Sequence, residues 1–90
     1  MMIKTISEFR SALRYGQYAW PGCYPKYFIT SDGAALSFDS ARKNIRLILD
    51  SIHNDINDGW KIVAVEINYE DNELVCDHSS EIIESAYGTN

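Results

Sequence analysis

Residues 39–69, DSARKNIRLILDSIHNDINDGWKIVAVEINY, decide the fold, because a helical repeat passes directly into a strand repeat. In the first half, apolar side chains recur at helical spacing, at Ala41, Ile45, Ile48, Leu49, Ile52 and Ile56. This spacing predicts a helix that Asp39 or Ser40 caps and that ends at Asp58-Gly59. From Trp60 to Tyr69 apolar residues fall on both faces, which predicts a long central strand.

The chain before this stretch predicts one helix and one hairpin. Thr5-Ile6-Ser7-Glu8 fits a capping box, and Gly16 suits the end of the short helix that follows. Residues 26–30 and 34–38 are typical of two strands, with Ser31-Asp32-Gly33 as the turn between them.

The chain after this stretch predicts one further strand. Residues 70–72 are expected to turn, and residues 73–76 to return antiparallel to the preceding strand. The predicted order is α-β-β-α-β-β. A chain that is 46% hydrophobic and 12% aromatic can bury a core. We therefore expect residues 1–90 to form one small, complete α+β domain, in which helices pack on one face of an antiparallel sheet.

The two halves of the chain carry opposite charge. Residues 1–49 hold seven bases and three acids, whereas residues 50–90 hold ten acids and one base, Lys61. An acidic surface attracts basic partners and repels nucleic acid and anionic lipid. We therefore predict a partner-binding surface made of acids in the second hairpin and tail: Glu66, Glu70, Asp71, Glu73, Asp77, Glu81 and Glu84. The competing interpretation is that these acids only keep a small protein soluble.

The same sequence predicts a cytoplasmic protein. It contains no run of about 18 apolar residues that could span a membrane. Its first residues, MMIKT, lack the apolar core of a secretory signal.

Catalytic chemistry and metal binding are not expected. The two histidines, His53 and His78, belong to no pattern that combines a nucleophile with a base, so we expect neither an enzyme nor a cofactor. Cys76-Asp77-His78 resembles half of a zinc site, but a structural site needs four ligands. The other soft ligands are Cys23 and His53, which do not form a second spaced pair, so we predict no metal.

A short basic stripe offers a second partner class. Arg42, Lys43 and Arg46 lie close together on the second predicted helix and could contact nucleic acid. Phosphate contacts dominate such affinity, and a net charge of −5 opposes them. We expect these bases to pair with acids of the same molecule or of a partner protein, and we expect no direct binding to DNA.

Five short motifs lie within about residues 15–88: Tyr18-Ala19-Trp20-Pro21-Gly22, Tyr24-Pro25-x-Tyr27-Phe28, Asp32-Gly33-Ala34-Ala35-Leu36, Asn57-Asp58-Gly59-Trp60 and Ile83-Glu84-Ser85-Ala86-Tyr87-Gly88. Together they resemble a family of small uncharacterised proteins that is common in phages and prophages. The resemblance implies a mobile-element origin and brings no established activity.

This chain departs from the family pattern at one set of positions. Many members have cysteines at the positions of Ser37 and Ser40, and Cys-x-His-Cys or Cys-x-His-Thr where this chain has Cys76-Asp77-His78-Ser79. That pattern implies a small zinc-ribbon-like site between two hairpins. Serine hydroxyls are poor zinc ligands, so the departure disfavours zinc here.

These observations lead to two main hypotheses of function, and a small enzyme is the third and least favoured one. The first is a phage or prophage interaction factor that binds and inhibits a host protein through its acidic surface. The target class would be a defence machine, as for anti-CRISPR inhibitors, or a nucleic-acid-handling machine. The alternative is a degenerate zinc-ribbon-like adaptor that binds nucleic acid or a transcription component. The oligomeric state does not follow from the sequence.

Overall fold

The computed structural model describes residues 1–87. Its elements in chain order are α1 Ile6–Tyr15, β1 Tyr18–Ala19, β2 Tyr24–Thr30, β3 Ala35–Leu36, α2 Phe38–Lys43, α3 Ile45–His53 and β4 Ile62–Ile67. Strand β2 is the centre of a four-stranded antiparallel sheet, with β4 along one edge of β2 and with β1 and β3 sharing the other edge. The predicted α+β class and the central hairpin are confirmed.

Helix α1 begins and ends as the sequence predicts. The Thr5 hydroxyl accepts the Glu8 N–H (3.1 Å), and the Glu8 carboxylate accepts the Thr5 N–H (3.0 Å). The Glu8 carboxylate also accepts the Lys4 N–H (2.8 Å), and this bond, followed by those from Thr5, lowers the pKa of Glu8. At the other end, the Gly16 N–H donates to the carbonyls of Ala12 and Leu13.

No helix among residues 1–87 is long and apolar enough to cross a lipid bilayer.

The single long helix that the apolar stripe predicts is divided at Asn44. Its side-chain amide donates to the Ser40 carbonyl (2.9 Å), a local bond that competes with a regular helix. The predicted caps Asp39 and Ser40 are wrong, because Ser37 caps α2 by accepting the Ser40 N–H (3.1 Å). Helix α3 ends before Ile56, which is 44% exposed and leaves the stripe.

Three phenylalanines form the centre of the core. Phe28 of β2 stacks on Phe38 of α2, with ring centroids 4.2 Å apart, and meets Phe9 of α1 at 5.4 Å. Leu36 and Val65 are register partners of Phe28 and therefore lie on the same face of the sheet. Helix α3 packs against α1 and α2 and adds Ile48, which is fully buried; the rest of its stripe, Ile45, Leu49 and Ile52, is partly buried against this core.

The predicted return of residues 73–76 along β4 is wrong. The edge of β4 is already occupied, because Met2 forms a bridge with Ala64 and the Ile3 N–H donates to the Val63 carbonyl (2.8 Å). The later segment instead folds on itself, with an isolated antiparallel bridge between Val75 and Ile82. Residues 68–87 therefore form an irregular segment beside the sheet.

Candidate interaction surface

Asn68 organises the start of the irregular segment. Its side chain is buried, and its amide donates to the carbonyls of Asp71 (2.9 Å) and Glu84 (3.1 Å). Its side-chain oxygen accepts the Asp71 N–H (3.2 Å). One buried amide therefore joins the turn after β4 to the tail, and the acidic side chains between them project into solvent.

All seven acids of the predicted partner-binding set are exposed. Glu70, Asp71 and Glu73 lie together in the turn, as the sequence suggests, and the Asp71 carboxylate accepts the Glu73 N–H (3.0 Å). Residues 62–87 contain these seven acids and neither lysine nor arginine. Within residues 1–87, Glu66 is the one member of the set with an ion pair, to the amino group of Met1 at 3.4 Å.

Glu66 and Asp71 act on the same side chain. Burial raises the pKa of Tyr27, and the charges of Glu66 and Asp71 raise it further. The strand and the turn therefore place two of the predicted acids near one phenol.

Glu81 and Glu84 line a different site, a cleft of about 230 Å³ beside β2 and the start of α2. Asp39 and Lys26 also line this cleft. The Lys26 amine lies 5.7 Å from the Phe38 ring centroid, and burial lowers its pKa. The Tyr18 hydroxyl donates to Glu84 (2.8 Å), which raises the pKa of Tyr18.

Asp77 lies apart from the other acids. It lines a second cleft with Trp60 and His78, whose rings are 5.1 Å apart. The seven acids are thus distributed over four places: Glu66 lies on β4, three acids lie in the turn, two line the cleft beside β2, and Asp77 lies at the Trp60 site.

A cluster of tyrosines lies where three segments of chain meet. The Tyr24 ring is 5.7 Å from that of Tyr69 and 5.9 Å from that of Tyr87, measured between centroids. The Tyr87 hydroxyl donates to the Tyr24 hydroxyl oxygen (2.9 Å), and this bond is the main cause of a raised Tyr87 pKa. Tyr69 and Tyr87 are nonetheless more than half exposed, at 51% and 58%.

The turn between β1 and β2 closes against this cluster. Gly22 has a φ of +99°, and a Cβ there would lie 2.9 Å from the Tyr24 ring, so both conformation and space require glycine. Trp20, in the same turn, is 86% exposed and is the most exposed of the large apolar side chains among residues 1–87. The turn therefore presents Trp20 to solvent and packs Gly22 closely against the Tyr24 ring.

Cys76 lies in a group of serines. It is fully buried; its sulfur accepts the Ser37 N–H (3.3 Å) and lies 3.4 Å from the Ser40 hydroxyl oxygen. Burial raises the pKa of the thiol, whereas hydrogen bonds from the Ser40 and Ser79 hydroxyls and from backbone N–H groups favour the thiolate. The balance lowers the pKa from 9.0 to about 6. The four positions Ser37, Ser40, Cys76 and Ser79 therefore converge, and we call them the serine–thiol cluster.

The other soft ligands lie elsewhere. His78 contacts Trp60, Cys23 is exposed in the turn before β2, and His53 is exposed at the end of α3. Within residues 1–87, no group of three or more histidine, cysteine, aspartate and glutamate side chains is arranged to hold a metal ion.

Two of the three bases of the basic stripe make contacts inside the molecule. Lys43 pairs with Asp39 at 3.0 Å. Arg42 donates to the Leu13 carbonyl (3.4 Å) and lies over the Phe38 ring. Arg46 is exposed.

Sequence reasoning did not identify the tyrosine cluster as a unit. The density of aromatic residues between Tyr18 and Phe28 is visible in the sequence, but their proximity to Tyr69 depends on the β2–β4 register, in which Lys26 faces Ile67. The contact with Tyr87 depends on the path of the irregular segment.

Comparison of the chain with protein-family models, curated proteins and solved structures finds no match.

Proposed function

We propose that this chain is a small phage- or prophage-encoded interaction factor that binds and inhibits a host protein in the cytoplasm of the host cell. The action is binding and not catalysis. The observation that supports it is the charge of residues 62–87, which expose seven carboxylates and contain neither lysine nor arginine.

The target class follows from the chemistry of this surface. A protein that handles nucleic acid or acts in defence against it presents lysine and arginine to phosphate. An exposed set of carboxylates can compete for the same cations, which is the action expected of an anti-CRISPR-type inhibitor. Complementary charge of this kind raises the association rate more than it slows dissociation.

The experiment begins with capture of a host partner from lysate and continues with kinetics on the purified partner. The test variant is Glu70→Lys with Glu73→Lys, which leaves the Asp71 hydrogen bonds of the turn intact. The matched control is Tyr15→Lys with Asp50→Lys and His53→Lys, an equal gain of positive charge on exposed positions of α1 and α3 outside the acidic set.

We expect the test variant to associate more slowly and with a weaker dependence on salt, while dissociation changes less. The control should change association by a smaller factor. Duplex DNA should not bind the wild-type protein at physiological salt. An affinity that neither salt nor reversal at the turn alters would overturn the proposal and leave the acids with a role in solubility alone.

One observation favours the alternative of a degenerate zinc-ribbon-like adaptor for nucleic acid or a transcription component. The serine–thiol cluster brings together two pairs, Ser37 with Ser40 and Cys76 with Ser79, each with the three-residue spacing of zinc-ligand pairs. Stoichiometric zinc in the purified protein, together with DNA binding that is lost on Arg46→Glu, would support the adaptor over the inhibitor.

A further inference from the structure

Five exposed or half-exposed aromatic side chains come from two parts of the chain that carry no lysine or arginine. Tyr18, Trp20 and Tyr24 belong to the β1–β2 hairpin, and Tyr69 and Tyr87 bracket the irregular segment. Neither residues 15–25 nor residues 62–87 contain a lysine or arginine. The aromatic surface is therefore built entirely from neutral and acidic chain.

The tyrosines are held in place before any partner arrives. Two ring contacts, at 5.7 and 5.9 Å, and the Tyr87–Tyr24 hydroxyl bond of 2.9 Å fix Tyr24, Tyr69 and Tyr87 relative to one another. A surface that is already ordered loses little side-chain entropy on binding. Tyrosine and tryptophan supply much of the energy at protein interfaces for this reason and because each ring buries a large area.

The negative charge around this surface favours some classes of binding partner over others. A second copy would bring two acidic segments together, and nucleic acid would bring phosphates against carboxylates. A cationic segment of a protein meets neither obstacle. Of the two cationic side chains, arginine is favoured, because its planar guanidinium stacks on aromatic rings and is less strongly hydrated than an ammonium group.

We infer that the surface formed by Tyr24, Tyr69 and Tyr87 binds an arginine-bearing segment of a protein partner, with Trp20 at its margin. This inference rests on the proposed function, since it names the part of the partner that the acidic chain attracts. The tyrosines supply contact and selectivity, whereas the acids of the turn supply attraction over distance.

The test uses two synthetic peptides of equal length and charge, four Gly-Arg repeats and four Gly-Lys repeats, titrated into the full chain. NMR of the tyrosine rings and the backbone amides reports the site and the affinity. The test variant is Tyr69→Ala with Tyr87→Ala, and the control is Tyr15→Ala, an 84% exposed tyrosine at the end of α1. Amide spectra confirm that each variant is folded, and Tyr69→Leu with Tyr87→Leu replaces the test variant if it is not.

We expect the arginine peptide to shift the Tyr24, Tyr69 and Tyr87 signals and to bind about two- to fivefold more tightly than the lysine peptide. That preference should vanish in the test variant and persist in the control. Equal binding of both peptides, no binding up to about 1 mM, or self-association that the test variant abolishes would each overturn the inference.

The two proposals fail in different ways. If charge reversal at Glu70 and Glu73 weakens binding of both peptides equally and the tyrosine variant leaves their affinities unchanged, the result supports attraction by the acids. It contradicts arginine binding by the tyrosine surface. If the tyrosine variant removes the preference for the arginine peptide and charge reversal in the turn alters the affinity for neither peptide, the result supports arginine binding by the tyrosine surface. It contradicts attraction by the acids of the turn.

Discussion

The helix-covered sheet of residues 1–67 and the irregular segment of residues 68–87 are stabilised by different interactions. The sheet is held by apolar contact, with Phe9, Phe28 and Phe38 almost completely buried. The irregular segment adds Leu74 and Ile83 to this core, but the path of its chain also depends on buried polar groups, chiefly the Asn68 amide and the Cys76 sulfur. The free energy gained from apolar burial scales with the buried area and depends little on which apolar side chain supplies it. A buried hydrogen bond depends on its particular partner. The two regions should therefore respond to mutation and pH in different ways.

The largest effect is expected in the sheet. Phe28→Ala removes a ring that contacts both α1 and α2, and should lower the free energy of unfolding by about 3 to 5 kcal/mol, measured by chemical denaturation. Leu47→Ala is the control: Leu47 is 49% exposed, and its removal should change the value by less than about 0.5 kcal/mol. A loss at Phe28 of less than about 1 kcal/mol would mean that the core is centred elsewhere.

A smaller and local effect is expected at Asn68. Asn68→Ala leaves the carbonyls of Asp71 and Glu84 without their buried donor, at a cost of about 1 to 3 kcal/mol. Hydrogen exchange should accelerate in residues 69–87 and change little in β2. Asn54→Ala, at an exposed amide that bonds to Asp50, provides the control and should leave both regions unchanged. Equal acceleration in both regions would show that they unfold as one unit.

The serine–thiol cluster predicts a pH dependence of stability between about pH 6 and pH 9. The pKa of Cys76 is lowered from 9.0 to about 6 in the folded protein, so between these values the unfolded state binds more protons. This contribution to stability should rise as the pH increases from about 6 to 9 and be lost as the pH falls through the folded pKa of about 6. Urea denaturation of the wild type and of Cys76→Ala across this range measures it. Parallel curves for the two proteins would contradict the prediction.

We expect a metal chelator to leave the thermal stability of the protein unchanged. The protein purified without added zinc should hold no stoichiometric zinc, and a chelator should leave its thermal midpoint unchanged. The triple variant Ser37→Cys, Ser40→Cys and Ser79→Cys is the positive control, because with Cys76 it supplies four thiolates at converging positions. Loss of folding of the wild type in chelator would contradict the prediction and favour the zinc-ribbon reading.

The sequence predictions are correct where an element depends on neighbouring residues and wrong where it depends on contact between distant segments. Thr5 and Glu8 identify the start of α1 because a capping box is completed within four residues. The hairpin around Asp32 is likewise local, and the Thr30 hydroxyl donates to the Asp32 carboxylate within its turn. The strand predicted at residues 73–76 fails because its pairing depended on an edge of β4 that Met2 and Ile3 occupy.

The structure shows that the seven acids are exposed, whereas their role as a partner-binding surface stays a prediction. Exposure of the acidic residues follows from their charge, since an unpaired carboxylate is costly to bury. The grouping of Glu70, Asp71 and Glu73 in one turn also follows from the sequence, whereas the nearness of Glu66 to Tyr27 and the place of Glu81 and Glu84 beside β2 do not. Asn68 contributes to this arrangement, because its side chain bonds both to Asp71 in the turn and to Glu84 in the tail.

By itself, the sequence determined the α+β class, the ends of α1, the central hairpin and the acidic charge of residues 62–87, because each depends on neighbours in the chain or on composition. The tertiary structure alone decided the division of the long helix at Asn44, the meeting of Tyr24 with Tyr69 and Tyr87, and the convergence of Ser37, Ser40 and Ser79 on Cys76. Tyr24 and Tyr87, like Ser37 and Cys76, are far apart in sequence. Their contacts exist only because strand register and buried hydrogen bonds bring distant segments to the same place.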